Sequence, residues 1–211
     1  MKIAVWFITA LFAYFFTGIN LAILLSKAVY HEDIRTKGSG NPGFTNFKRV
    51  YGGALSWVIF VFDLVKGAIP VLVGGLLFSA FLDCEGAFRI GAAFAGLCGV
   101  IGNSFPVYYS FQGGKGFLVC LSCLFFLDWK AGLIAFGVLT LLVFTVKWMS
   151  VSTLSALIVG AALLPVFGCP ALASVFYAAS VLWVIARHRK NLARLFAGQE
   201  PKFSFGKKKE Q

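Results

Sequence analysis

Seven apolar stretches, at residues 3–25, 54–82, 88–102, 117–127, 131–146, 151–167 and 171–186, take up most of a chain of 211 residues. About 20 apolar residues span the hydrocarbon of a bilayer as a helix, and a helix satisfies its own backbone hydrogen bonds where water cannot. The sequence therefore predicts an all-α, polytopic membrane protein of about seven transmembrane helices. They form one helical domain over residues 1–198, followed by a basic tail over 199–211. Charged residues make up 13% of the chain, against about a quarter in soluble domains, and no length is left for a separate soluble catalytic domain. Any chemistry must sit in the loops or between the helices. The run at 117–127 is the weakest span: its 11 residues make about 16 Å of helix, so it either borrows flanking residues or enters without crossing. The run at 3–25 reads as one retained helix, since no small-x-small cleavage site precedes Ser26 and Lys27.

Loop charge sets the orientation. With residues 26–53 in the cytoplasm, 15 of the 19 Lys and Arg residues fall on that side; Lys66 lies within a span, and Lys2, Arg89 and Lys130 lie opposite, beside Asp83, Glu85 and Asp128. Basic residues gather on the cytoplasmic side of membrane proteins, which puts the amino terminus outside and the carboxyl terminus inside. In a soluble protein a net charge of +11 would suggest nucleic acid. Here it suits anionic headgroups or phosphorylated substrates, and no nucleic-acid partner is expected. Asp63 and Lys66 share a face of the second span at i, i+3 spacing, either as a structural ion pair or as a wall of a substrate pocket. Gly91, Ala95 and Gly99 form a small-residue stripe for close helix packing. Cys120 and Cys123, inside an apolar run, read as small hydrophobes.

Three cytoplasmic segments are too polar and too glycine-rich to be mere connectors. The first, KGSGNPGFTNFKRVYGG at 37–53, fits GxGxxG at Gly38, Gly40 and Gly43, but no strand precedes it and Pro42 breaks the helix start that a dinucleotide site requires. Its glycines permit turns that expose successive amides to an anion, Ser39, Asn41, Thr45 and Asn46 add hydrogen-bonding groups, and Lys48 and Arg49 bring charge. A plain flexible loop is the alternative. The second, GNSFPVYYSFQGGKGF at 102–117, is not a Walker A motif, because Gly116 stands where Ser or Thr would hold magnesium. Lys115 among Gly113, Gly114 and Gly116 still suits a phosphate, or else an interfacial lysine meeting lipid headgroups. The third, ARHRKNLARLFAGQE at 186–200, brings His188 and Asn191 towards one side of a continuing helix, unless it is a basic amphipathic helix lying on the membrane. Ser150 and Ser152 open the sixth span on the same side. The chain has no G-x-S-x-G elbow, Thr36 and Ala193 stand where an HxxxxD acyltransferase needs Asp, and no cluster of metal ligands occurs.

Together these segments resemble the bacterial membrane glycerol-3-phosphate acyltransferases of the PlsY family, which use acyl phosphate as donor, over nearly the whole chain. GSGNPGFTN is similar to that family's GSGNPGATN, NFKRVYG to its Asn-x-x-Arg-x-x-Gly continuation, FQGGKG to FKGGKG, and HRKNLARLFAGQE to HRxNIxRLxxGxE. The chain departs from the pattern at Phe44, at Asn103 where the family usually has His, at Gln112 where it has Lys, and at Phe117-Leu118-Val119, where Ala-Thr often follows GGKG. The resemblance implies transfer of an acyl group from acyl phosphate to the first hydroxyl of glycerol 3-phosphate. The products are lysophosphatidic acid and phosphate, no metal or cofactor is used, and the site faces the cytoplasm of the bacterial inner membrane. It implies catalytic roles for Ser39, Lys115 and His188, and substrate binding by Gly38, Gly40, Asn41, Arg49, Gly113, Gly114, Ser150 and Asn191. An enzyme that forms acyl phosphate would be the functional partner. A phosphate or organic-anion carrier, or an inactive divergent paralogue, is the alternative.

Overall fold

The computed structural model describes residues 2–204. Among them ten α-helices follow one another: α1 (Lys2–Gly18), α2 (Leu21–Tyr30), α3 (Phe44–Val50), α4 (Leu55–Phe81), α5 (Ala87–Ser104), α6 (Phe117–Leu127), α7 (Trp129–Thr145), α8 (Met149–Val166), α9 (Ala171–Arg187) and α10 (Arg189–Phe196). No strand is assigned among the described residues, so the all-α expectation holds. Each apolar run falls on helix, and the outward faces present Phe7, Leu11, Leu141, Phe144, Val175 and Leu182. A contiguous apolar exterior of this kind meets lipid, because water would not tolerate it. Four helical segments are long and apolar enough to cross a membrane (Lys2–Tyr30, Leu55–Phe81, Ala87–Tyr109 and Met149–Val166), and α9 with α10 makes a fifth that bends by 55°. The shorter apolar helices α6 and α7 meet at Asp128, whose carboxylate caps α7 by accepting from the Lys130 and Ala131 amides at 2.9 and 3.0 Å.

One expectation is corrected. The run at 3–25 is not one continuous helix: it breaks between α1 and α2 at Ile19 and Asn20. Asn20 takes an extended backbone, and its side chain caps α2 by accepting from Ile23 N at 3.0 Å. The Ile23 amide is thereby withdrawn from its helical partner, the Ile19 carbonyl. An asparagine inside an apolar run is the sequence signal for this break, since its side chain competes with the helix backbone.

The small-residue stripe does what its spacing predicts. A Cβ added to Gly91 would lie 2.3 Å from the Gly74 carbonyl, and one added to Gly74 would lie 2.6 Å from the Ala95 Cβ, so α4 and α5 touch backbone to backbone. Such close approach maximises dispersion contact where no hydrophobic force drives helices together. Cys120 and Cys123 are buried and free, packed as small apolar groups. Asp63 and Lys66 form their ion pair at 2.8 Å.

Candidate active site

The loop before α3 is folded around one asparagine. Asn46 is buried, accepts from Ser39 N at 2.8 Å and donates to the Lys37 carbonyl at 3.0 Å, bending the loop back so that Ser39 is presented. Gly38 makes that bend possible: its φ is +58°, and a Cβ there would lie 2.4 Å from Asn46 Oδ1. Asn20 donates to the Pro42 carbonyl at 2.9 Å, tying the same loop to the break between α1 and α2.

The second loop is pinned to the end of α5. Gly113 N donates to the Ser104 carbonyl at 3.1 Å and Gly114 N to the Asn103 carbonyl at 2.9 Å. Arg187, at the end of α9, donates Nη2 to the Gly114 carbonyl at 3.3 Å and lies over the Phe105 ring at 4.9 Å. Their amides are thus spent on the fold. The free donors lie one step further on, in the first turn of α6, where Gly116 provides no side-chain cap. An uncapped helix start carries positive potential and unpartnered N–H groups, which together favour an anion.

The third segment supplies a connected polar set. Lys115 Nζ donates to Asn191 Oδ1. Asn191 Nδ2 donates to Glu200 Oε1 at 2.6 Å, and Arg194 Nε to Glu200 Oε2 at 2.9 Å. Glu200 is 8% exposed, and it fixes which way the Asn191 amide faces. The expected start of a tail at residue 199 is accordingly moved outward: the chain folds back after α10, and Phe203 N bonds the Lys147 carbonyl at 2.7 Å while its ring meets Phe44 at 6.1 Å. Lys207, Lys208 and Lys209 of the expected basic tail lie outside the described residues. His188, at the bend between α9 and α10, engages the Val184 carbonyl through Nδ1 at 2.8 Å. That bond requires Nδ1 to carry the proton and leaves Nε2 as an acceptor.

All three segments open onto one cavity of about 280 Å³. Of the residues singled out from the sequence, Ser39, Asn41, Arg49, Gly114, Lys115, Ser150, His188 and Asn191 line it, whereas Gly38, Gly40 and Gly113 do not and act through loop geometry. The Ser150 hydroxyl is buried and has no hydrogen-bond partner among the described residues, a cost that a bound ligand would relieve. Asp63, Asn103, Glu200 and Phe203 also line the cavity. Of these, Glu200 closes the third motif, where the resemblance carries it although helical spacing does not, and Phe203 had no signal, because a return of the chain after α10 leaves no periodic one. Away from the loops, Phe60 of α4, Phe117 and Leu118 of α6, and Leu139 and Val143 of α7 make the wall apolar.

Electrostatically the site is a cluster of cations, with Lys115, Arg187 and Arg194 half-buried and Arg49 exposed. Burial lowers the Lys115 pKa to about 8, opposed by Glu200 and reinforced by Arg194, Arg49 and Arg187. Partial desolvation by its surroundings likewise lowers Arg49, although it is exposed on the cavity rim, with Glu200 opposing. His188 falls to about 3, chiefly through burial and then through Lys115, so its imidazole is neutral near pH 7. A set of cations and unpartnered donors at one end, opening onto an apolar wall, suits a ligand with an anionic head and a long hydrocarbon tail.

Comparison with known proteins agrees. Residues 7–198 match the family described as glycerol-3-phosphate acyltransferase. Glycerol-3-phosphate acyltransferases of Pseudomonas putida strain GB-1 and Lactiplantibacillus plantarum are 36% and 32% identical to this chain; the alignments cover 94% and 98% of this chain, and 100% and 94% of those proteins. The crystal structure of PlsY, an integral membrane glycerol 3-phosphate acyltransferase, in its glycerol 3-phosphate form superposes with a TM-score of 0.84 at 29% identity, covering 94% of this chain and 96% of that one. Its lysophosphatidic acid form gives 0.79 at 28% identity, covering 95% and 96%. The chain therefore belongs to the membrane glycerol-3-phosphate acyltransferase family.

Proposed function

We propose that this protein transfers an acyl group from acyl phosphate to the sn-1 hydroxyl of glycerol 3-phosphate, releasing lysophosphatidic acid and inorganic phosphate. The observation that carries the reading is the convergence of Ser39, Arg49, Lys115, Ser150, His188 and Asn191, from four separate parts of the chain, on one cavity. Both substrates are phosphorylated, and Lys115, Arg49 and the α6 start supply the charge and amides that phosphate oxygens require. The apolar wall between α4 and α7 takes the acyl chain, so the donor enters from the bilayer and the acceptor from water. Seven passes, with the amino terminus outside and the carboxyl terminus inside, place the loops and the site at the cytoplasmic face of the inner membrane. An enzyme that forms acyl phosphate supplies the donor.

In the reaction the hydroxyl oxygen of glycerol 3-phosphate bonds to the acyl carbon and the bond from that carbon to the phosphate oxygen breaks, the electron pair leaving with phosphate. Holding the two reactants together removes several kcal/mol of barrier, and in this reading the Ser39 and Ser150 hydroxyls, both on the cavity wall, donate to the developing oxyanions. His188 presents Nε2 as an acceptor for the attacking hydroxyl, but a group with a pKa near 3 is a weak base at neutral pH. We therefore assign His188 to positioning, and a substrate phosphate to acceptance of the proton. The test is an assay of purified protein with glycerol 3-phosphate, offering acyl phosphate and acyl-CoA separately, beside Lys115→Ala and His188→Ala. Activity with acyl phosphate alone, abolished in Lys115→Ala, is the expected result. Turnover with acyl-CoA only would overturn the donor. A His188→Ala protein that binds glycerol 3-phosphate normally but has lost all turnover would overturn the positioning role.

A further inference from the structure

Phosphate chemistry leaves one buried charge pair unexplained. Lys66 is 2% exposed; its Nζ sits 2.8 Å from Asp63 Oδ1 and donates to the Ile19 carbonyl at 2.9 Å, the oxygen released by the break before Asn20. A buried ammonium needs both acceptors. The carboxylate has no such necessity, because replacing a buried ion pair with apolar residues is often neutral or stabilising. Yet the Asp63 side chain is 14% exposed, lines the cavity, and receives no further hydrogen bond from the described residues.

Its level in the cavity follows from helix packing. A Cβ on Gly67 would lie 2.8 Å from Val119 Cα, and one on Gly96 would meet both Cys123 Sγ and Val71 Cγ2. A step of four residues along α4, from Gly67 to Val71, thus matches a step of four along α6, from Val119 to Cys123, so the two helices run side by side in the same direction. One turn back along α4 from the Gly67–Val119 contact stands Asp63, at the end where α6 begins at Gly116 and the loop bearing Lys115 arrives. The carboxylate therefore belongs to the loop end of the cavity that Lys115 also lines, with the Lys66 ammonium at 2.8 Å offsetting its charge.

The cationic and amide donors of this wall suit phosphate oxygens. Glycerol 3-phosphate also brings two hydroxyls, each with a proton to donate, and His188 Nε2 serves the one that attacks. We propose that Asp63 accepts a hydrogen bond from the other, the unreactive secondary hydroxyl, and that Lys66 acts as the positioning residue that holds the carboxylate in place. This rests on the acyltransferase reading above. It makes Asp63 the residue that distinguishes glycerol 3-phosphate from other small phosphate monoesters bearing a primary hydroxyl.

The test compares glycerol 3-phosphate with 3-hydroxypropyl phosphate, which lacks the secondary hydroxyl, at saturating acyl phosphate. One hydrogen bond to a charged acceptor corresponds to about 10- to 100-fold in kcat/KM, and the wild type is expected to prefer glycerol 3-phosphate by that factor. The paired substitution Asp63→Leu with Lys66→Met leaves no unpaired charge and is expected to bring glycerol 3-phosphate down to the level of the analogue, whose own kcat/KM moves less than about threefold. Asp63→Asn keeps an acceptor without the charge, and is expected to fall between. No preference in the wild type overturns the proposal, as does an equal loss for both substrates in the paired variant. If the paired variant does not fold, an unchanged preference in Asp63→Asn overturns it and a reduced one supports it. A wild type that acylates neither compound would sink the acyltransferase reading instead.

Discussion

Lys115 holds its proton weakly for a lysine, and this makes substrate affinity depend on pH in a calculable way. Burial brings its pKa from 10.5 to about 8, with Arg194, Arg49 and Arg187 pushing the same way against Glu200. With that value the free protein carries an ammonium in about nine molecules of ten at pH 7, in about half at pH 8 and in about one of ten at pH 9. A phosphate monoester is a dianion throughout this window, its second pKa being about 6, so the substrate itself does not titrate. If phosphate binds only the ammonium form, KM for glycerol 3-phosphate roughly doubles between pH 7 and pH 8 and rises about tenfold by pH 9. Initial rates at saturating acyl phosphate, with glycerol 3-phosphate titrated at half-unit steps of pH, give this curve directly. Lys115→Arg is the control, since a guanidinium keeps its proton across the window, and its KM should stay flat however low its rate. A wild-type KM that is flat to pH 9.5, or an identical rise in the arginine variant, would refute the reasoning. Stability follows the same shift. The folded value lies below the unfolded one, so the cost of burying the charge is fully present below pH 8 and fades as pH climbs towards 10.5. The ligand-free protein should accordingly gain stability from this group across that interval.

Two further substitutions probe the loops that aim this lysine. In Gly113→Ala the new Cβ would lie 2.2 Å from the Asn103 carbonyl and 2.4 Å from Pro106 Cδ, so the loop must move; a displacement of about 1 Å costs on the order of 100-fold, expected as a fall in kcat/KM for glycerol 3-phosphate with the fold retained by size-exclusion chromatography. Glu200→Gln removes the charge that receives Asn191 at 2.6 Å and Arg194 at 2.9 Å, and loss of a charge-assisted bond predicts a fall of about tenfold or more in activity, measured beside the thermal midpoint in detergent.

Much of this was legible in the sequence because both the bilayer and phosphate leave strong local signatures. Apolar runs mark the helices, since nothing else survives in hydrocarbon, and α6 occupies the same residues as its run, Phe117–Leu127. Glycines and cations clustered at one end of those runs mark the anion site. The signals that failed are the ones that depend on distant partners. The break at Asn20 pays off only in three dimensions, where the Ile19 carbonyl meets Lys66 and the Asn20 amide meets Pro42. Glu200 lies beyond α10 and enters the site because the chain turns back to Lys147. For Asp63 spacing left two readings open, an ion pair or a pocket wall, and it took the packing of α4 against α6 to show that the residue is both.

The glycines of the second loop work differently from what their composition suggests. A run of glycines beside a lysine reads as a cradle of amides around phosphate, yet the Gly113 and Gly114 amides are spent on α5 carbonyls. What the glycines provide is thinness. Gly113 passes against Asn103 and Pro106 where a Cβ has no room, and this close passage delivers Lys115 and the uncapped start of α6 to the cavity together. Donation then falls to the ammonium and to the first turn of that helix, two groups whose positions are coupled because only Gly116 separates them. Side-chain replacement at Lys115 can remove the charge but not the helix start. Residual phosphate affinity in Lys115→Ala, competed by inorganic phosphate and insensitive to pH between 7 and 9, is the expected sign of that second donor set; complete loss of phosphate binding in a folded Lys115→Ala protein would show that the lysine acts alone.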